Sequence, residues 1–285
     1  MCSVCHSFAG MGFGKVARSR IIYLLTCIFP SVILVTYMGI KERRTKILLA
    51  LFLLSNVEFS EILLDENVQQ MFDFSLNQKT KATLASSVKA GEIEKGQSKD
   101  EVPSYKLTQK GFHALSLEFP SFRFLKETWD KKLRIISYEI PESKRELRDR
   151  LRREMQGWGL GPWHRSFWLT PHPIIETLNT LVTGKPEAQY MQAFEAEHVF
   201  GDKANLIEKV WGKSTLDKKY RELFKKWHSI LSGDGEKIVK FGTVLKEYIS
   251  VLREDPGLPK ELIGEGWIGF EAMNIFKEIQ GILLS

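Results

Sequence analysis

Glu139 is the side chain best placed to do chemistry in this chain. The run LRIISYEIP, residues 133–141, leads through β-branched Ile135 and Ile136 to Tyr138, Glu139 and Pro141, so a carboxylate stands where a strand ends. A carboxylate at the end of a strand could serve as a metal ligand. That arrangement would suit a metal-dependent nuclease. It would equally suit a scaffold that pairs subunits and does no chemistry. No second acid or evident general base accompanies Glu139 in the motif, and His164 and His172 are isolated, as ordinary surface or core histidines are. We therefore assign no catalytic residue and no cofactor, and keep Glu139 as a metal ligand only under the nuclease alternative.

Cys2, Cys5 and His6 spell the C-x-x-C-H pattern of covalent haem attachment. The pattern sits at the start of the sequence with no export signal before it, and we treat it as accidental. Zinc is poorly served too, because three close ligands have no second pair at finger spacing. With Cys27 these are the only cysteines, so no disulfide framework holds the body together and a reducing, cytoplasmic compartment is expected.

A different set of residues points to polyanion binding. Asn77 reads as an N-cap, and QKTKATLASSVKA, residues 78–90, as a helix closed by Gly91. Ala82, Leu84, Ala85 and Val88 are expected to face inward. Lys79, Lys81 and Lys89 then remain outside for phosphate, and Thr80, Thr83, Ser86 and Ser87 for base edges. Lys99, in the polar stretch that follows, is a further candidate contact. This helix has no arginine, so the commonest bidentate guanine reader is missing, and DNA binding is better supported than sequence readout. The chain as a whole is only mildly basic, with a formal charge of +6. That excess suits a polyanion but does not demand one.

The elements that must position these groups follow from periodicity. Residues 44–55, RTKILLALFLLS, form a buried first helix, and 58–74 a weaker second one. After the third helix, residues 92–95 can pair with 104–108 around a polar tip. Three helices and a two-stranded wing are the order of a winged helix-turn-helix, whose third helix enters the major groove. We place this domain at residues 41–120. Tyr105-x-Leu107-Thr108-x-x-Gly111 leads from the wing into a closing helix.

Residues 132–140 then read as a strand, and 143–156 as a helix whose inner face is Leu147, Leu151 and Met155. Its six basic residues, Lys144, Arg145, Arg148, Arg150, Arg152 and Arg153, are interleaved with Glu142, Glu146 and Asp149, the pattern of a solvated face with i,i+4 pairs, the alternative being a phosphate-contacting or subunit-contacting surface. A turn at 157–162, a strand at 164–170, a helix at 173–183 and a strand at 189–199 follow, and this β-α-β…α-β order fits a split βαβ unit, a ferredoxin-like βαββαβ domain at residues 127–205. Residues 206–285 read as a small α-helical domain, with helices at 205–231, 236–253 and 265–284. The fold class is thus α+β. Trp211, Tyr220, Phe224 and Trp227 supply an aromatic stripe to that last domain, either as core or in part as the lining of an effector pocket or dimer seam.

Residues 1–40 stand apart. Ile21–Ile40 is uncharged and about long enough to cross a bilayer, with basic residues on both flanks and Pro30 in its middle. A membrane anchor, an apolar element packed on the body, and a true start at Met38 remain open alternatives.

Three ordered motifs carry a resemblance to the PaaX family of bacterial regulators. They are the RIISYEIPE to FWLTP stretch described above, LIEKVWGKSTLDKKYRELFKKW at 206–227, and Asp255–Pro256–Gly257–Leu258–Pro259 followed by Gly266–Trp267–Ile268–Gly269–Phe270. The likeness covers roughly residues 41–285. It implies a prokaryotic transcriptional regulator of repressor type, not an enzyme. Such a protein binds operator DNA as a homodimer and can be released by a small-molecule effector. It also implies a central domain like the small nuclease subunit of CRISPR adaptation modules. Those nucleases end the first strand in an aspartate, and Glu139 is one methylene longer. No residue identifies a pocket for the aryl-CoA thioester known as an effector in that family.

Overall fold

A computed structural model describes residues 40–55, 59–97, 102–125 and 128–285. The chain divides into two compact units, Met1–Glu42 and Arg43–Ser285, and the side chains described below belong to the second. The apolar stretch considered as a membrane anchor lies outside the described residues except for Ile40, as do the three cysteines. No helix among the described residues is long and apolar enough to cross a membrane.

The N-terminal part begins with α1 (Ile40–Leu53), β1 (Ile62–Leu63) and α2 (Glu66–Met71). There follow α3 (Gln78–Lys89), β2 (Ile93–Lys95), β3 (Ser104–Leu107) and α4 (Gln109–Glu118). The second helix expected at 58–74 is thus replaced by a two-residue strand and a six-residue helix. The reason lies in a polar side chain. Gln69 donates to the carbonyls of Leu64 and Asp65 and accepts from the Leu76 N–H, which ties the flanking turns to α2 and stops it from lengthening. The strands form an antiparallel sheet in the order β1-β3-β2.

The Tyr105-x-Leu-Thr-x-x-Gly motif has a steric cause. Thr108 caps α4 by accepting from the Gly111 N–H, while its hydroxyl donates to the carbonyls of Gly91 and Glu92. That contact presses the first turn of α4 against the backbone after α3. A Cβ at Gly111 would stand 2.0 Å from the Glu92 oxygen, so only glycine fits. Arg44 on α1 grips the Glu92 carboxylate with two donors, at 2.6 and 2.8 Å. The turn behind α3 is therefore held from two sides.

A 3-10 segment, Pro120–Leu125, leads to the central part: β4 (Lys132–Tyr138), α5 (Arg145–Gly157), β5 (Gly161–His164), β6 (Phe167–Thr170), α6 (Ile175–Val182) and β7 (Met191–Glu197). The single strand expected at 164–170 is a β5–β6 hairpin, and β5 begins within the last two residues of the stretch read as a turn. The four strands are antiparallel in the order β5-β6-β4-β7, the order of a split βαβ unit. Ile136, Tyr138 and Trp168 on one face pack on Leu151, Met155 and Leu178 of the two helices.

The C-terminal part is helical: α7 (Lys203–Trp211), α8 (Lys213–Ser232), α9 (Lys237–Leu252), α10 (Lys260–Ile263) and α11 (Ile268–Leu284). The helix expected to run unbroken over 205–231 is two helices, because Gly212 takes a left-handed conformation at φ 61°. Tyr220, Trp227, Tyr248 and Phe276 form its aromatic centre. This core is continuous with that of the N-terminal helices, and α2 packs directly on α9. Mixed helix and antiparallel sheet make the fold α+β.

Candidate nucleic-acid interface

Helix α3 is built for exposure on one side. Asn77 caps it by accepting from the Thr80 N–H at 3.0 Å. The buried side is Thr80, Leu84 and Ser87, at i, i+4 and i+7. This corrects the expected orientation. Thr80 and Ser87 are 1% and 3% exposed and are removed from the set of accessible hydroxyls, whereas Ala82, Ala85 and Val88 face solvent. The hydroxyls can be buried because each has a partner: Thr80 Oγ1 donates to Asn77 at 3.3 Å, and Ser87 hydrogen-bonds the Glu92 carboxylate. The bidentate Arg44 contact, first among the causes, holds that carboxyl below its usual range.

The outward side carries Lys79, Lys81, Ser86 and Lys89 with Ala82 and Ala85 between them. Thr83 is half-buried, and its hydroxyl donates to the Lys79 carbonyl one turn back. Among the described residues no acid pairs with Lys79, Lys81 or Lys89. Small side chains between free ammonium groups let the helix backbone come close to a polyanion. Lys99 lies outside the described residues.

Helix α5 carries more basic residues but uses them differently. Arg148 binds Glu142 at 2.6 Å, Arg145 lies 3.6 Å from Asp149, and Arg150 reaches Glu187 at 3.0 Å, whose carboxylate is fully buried. Three of the six cations of the run are thus paired with acids; Lys144, which donates to the Tyr190 hydroxyl at 2.7 Å, Arg152 and Arg153 form no ion pair among the described residues.

Glu139 is exposed just beyond β4, where its N–H donates to the Tyr190 carbonyl at 3.0 Å. Among the described residues no three His, Cys, Asp or Glu side chains gather as a metal site. His172 is completely buried and stacked on Phe124, while His164 is exposed.

The face of the central sheet opposite α5 and α6 is apolar: at one end Leu133 and Leu169 are buried and α7 packs on β5, and aromatic side chains elsewhere on that side are left open. Phe194 on β7 and Phe167 on β6 are 53% and 40% exposed, and Trp163 on β5 is 42% exposed. Ile135 on β4 lies beside Phe194 in register. Sequence patterning missed this surface, because the whole of an aromatic strand reads as core until the packing shows which of its residues are left uncovered.

Two family models match this chain: the PaaX protein central Cas2-like domain over residues 126–207, and the PaaX-like protein C-terminal domain over 211–285. Among solved structures, the uncharacterized protein Rv0674 from Mycobacterium tuberculosis is similar at 18% identity and a TM-score of 0.50. The match covers 84% of this chain and 94% of that one, and it bears on the fold alone. No curated protein matches.

Proposed function

The chain belongs to the PaaX-like family, and from that premise we propose that it is a DNA-binding transcriptional regulator, acting as a repressor, that grips operator DNA as a homodimer. We assign residues 41–120 as a winged helix, 127–205 as a ferredoxin-like dimerisation domain and 206–285 as a helical effector domain.

The observation that carries this reading is the outward side of α3, with three lysines free of acidic partners, small residues between them and a capped N-terminus. Such a helix fits the major groove, with lysines on phosphates and Ser86 near base edges. Ala82 and Ala85 are small enough to meet thymine methyls. The β2–β3 hairpin would flank the groove.

The open sheet face supports pairing with a second copy. Exposed aromatic side chains at Trp163, Phe167 and Phe194 cost solvation in a monomer and are the residue types that anchor interfaces. Pairing of two copies would supply two α3 helices, one for each half-site.

The test is binding of the purified protein to duplex fragments from upstream of its own gene over a salt series. Counterion release predicts affinity falling steeply with salt, by roughly 0.9 in log–log slope per phosphate contacted. A flat dependence, or no binding to any such fragment, would contradict the proposal.

A further inference from the structure

A cavity of about 390 Å³ opens between the Pro120–Leu125 segment, the Asp255–Glu261 loop and α11. Its walls are aromatic, with Trp129, Tyr220, Tyr248, Trp267 and Phe270 all contributing. Tyr220 and Trp267 meet edge-to-face at 5.8 Å, which fixes both rings. Space of this size and lining fits a single small ring system.

Two polar groups in the wall are unusual. Asp255 is 5% exposed, and it accepts from the Tyr220 hydroxyl at 2.5 Å and the Gly257 N–H at 2.8 Å. No lysine or arginine pairs with it among the described residues, so a buried carboxylate is left without a counter-charge. Its two oxygens offer more acceptor positions than these two bonds use. The second is Ser121, whose buried Oγ has no partner. At the mouth, Lys260 lies over the Phe270 ring at 5.5 Å, beside Glu261. The lining thus holds two acids and one base.

We propose that this cavity is the regulator's effector site and that it takes a small arylalkyl amine, its ring among the tryptophans and tyrosines and its ammonium against Asp255. Aromatic faces and a buried carboxylate both attract a cation, and both repel an aryl carboxylate. Burial, the first cause, pushes the Asp255 carboxyl up in the empty cavity, and an incoming ammonium would reverse that cost.

The cavity wall is also part of the joint between the three parts of the molecule. Ser121 and Phe124 belong to the 3-10 segment that follows α4. Between them Arg123 is buried and donates to the carbonyls of Ser116 and Leu117 on α4 and of Trp158 beyond α5. Phe124 stacks on His172, whose Nε2 donates to the Pro256 carbonyl at 2.7 Å. Gly257, at φ 63°, sits so close to Pro120 that a Cβ would lie 2.2 Å from its oxygen. An occupant would press on the same segment that packs on α4 and ties its C-terminal end to the Trp158 carbonyl beyond α5. This coupling rests on the proposed regulator function; occupancy of the cavity does not.

Calorimetric titration of the full-length protein with phenethylamine, beside hydrocinnamate and butylamine, tests the two separately. Phenethylamine should bind saturably and change the tryptophan fluorescence, and hydrocinnamate and butylamine should bind at least about tenfold more weakly. Asp255→Asn should weaken the amine by about tenfold or more, since a buried charge loses its partner. Because Asp255 also shapes its loop, Met273→Trp provides a second variant: it fills the space and should abolish binding while the thermal midpoint is kept. No binding of phenethylamine at millimolar concentration, equal binding of hydrocinnamate, or full binding by Met273→Trp would overturn the site. Binding that leaves DNA affinity unchanged would overturn the coupling alone.

Discussion

Helices α3 and α5 are both rich in basic residues, and they differ in what those residues face. On α5 the arginines meet Glu142, Asp149 and Glu187, so a helix with five cations against three on α3 spends three of them on internal partners. On α3 three lysines share a side with no acid at all. A count of charges would choose α5 as the DNA-binding helix; pairing chooses α3. Free cations release counterions from DNA, whereas paired ones must first surrender a partner.

The comparison breaks most sharply on charge removal. Replacing Lys79, Lys81 and Lys89 together by Gln should lower DNA affinity on the order of a hundredfold at moderate salt and flatten the salt slope by about one per lysine contacting phosphate. The matching change of Arg145, Arg148 and Arg150 on α5 should leave the slope nearly unaltered. Equal losses for the two triples, read by fluorescence anisotropy, would erase the distinction drawn here.

Smaller effects should separate the two sides of α3. Ser87→Ala removes a buried hydroxyl from Glu92 and should cost about 1 kcal/mol of stability in urea titration, with little change in DNA contacts. Ser86→Ala should do the reverse, leaving stability within about 0.5 kcal/mol and weakening binding. Asn77→Ala should also cost about 1 kcal/mol through the lost cap. Helix α5 has no side-chain cap to lose.

A pH effect of smaller size belongs to the joint. Burial, ahead of the nearby Arg123 charge, holds His172 neutral well below its ordinary range. The unfolded chain therefore takes up a proton that the folded one refuses. The contribution of His172 is complete above the unfolded value near 6.5 and is lost as pH falls below it. Urea midpoints measured between pH 7 and 5 should fall, and His172→Gln should make that fall shallower. An identical slope in the variant would show that His172 is not its source.

Much of the fold was legible because its signals are local. Asn77 announces a helix start by its side chain, and the Tyr105-to-Gly111 motif placed a closing helix after the wing; the Thr108 cap and the close approach at Gly111 are what the structure adds. The rotation of α3 was not legible. Ala, Ser and Thr differ little in the energy of burial once a hydroxyl finds a partner, and the partners of Thr80 and Ser87 come from the cap and from the turn beyond the helix. Nor does patterning show that α2 packs on α9, since nothing local joins segments so far apart in the chain. Asp255 could be read as part of a motif, but its isolation from any cation needed the fold around it.

The central claim is that the outward side of α3 lies against DNA. A photo-crosslinking residue in place of Ala85, in the middle of that side, tests it most directly, beside the same residue in place of Arg152 on α5. Irradiation of the operator complex should join position 85 to DNA in good yield and position 152 hardly at all. Crosslinks from 152 and none from 85 would contradict the account.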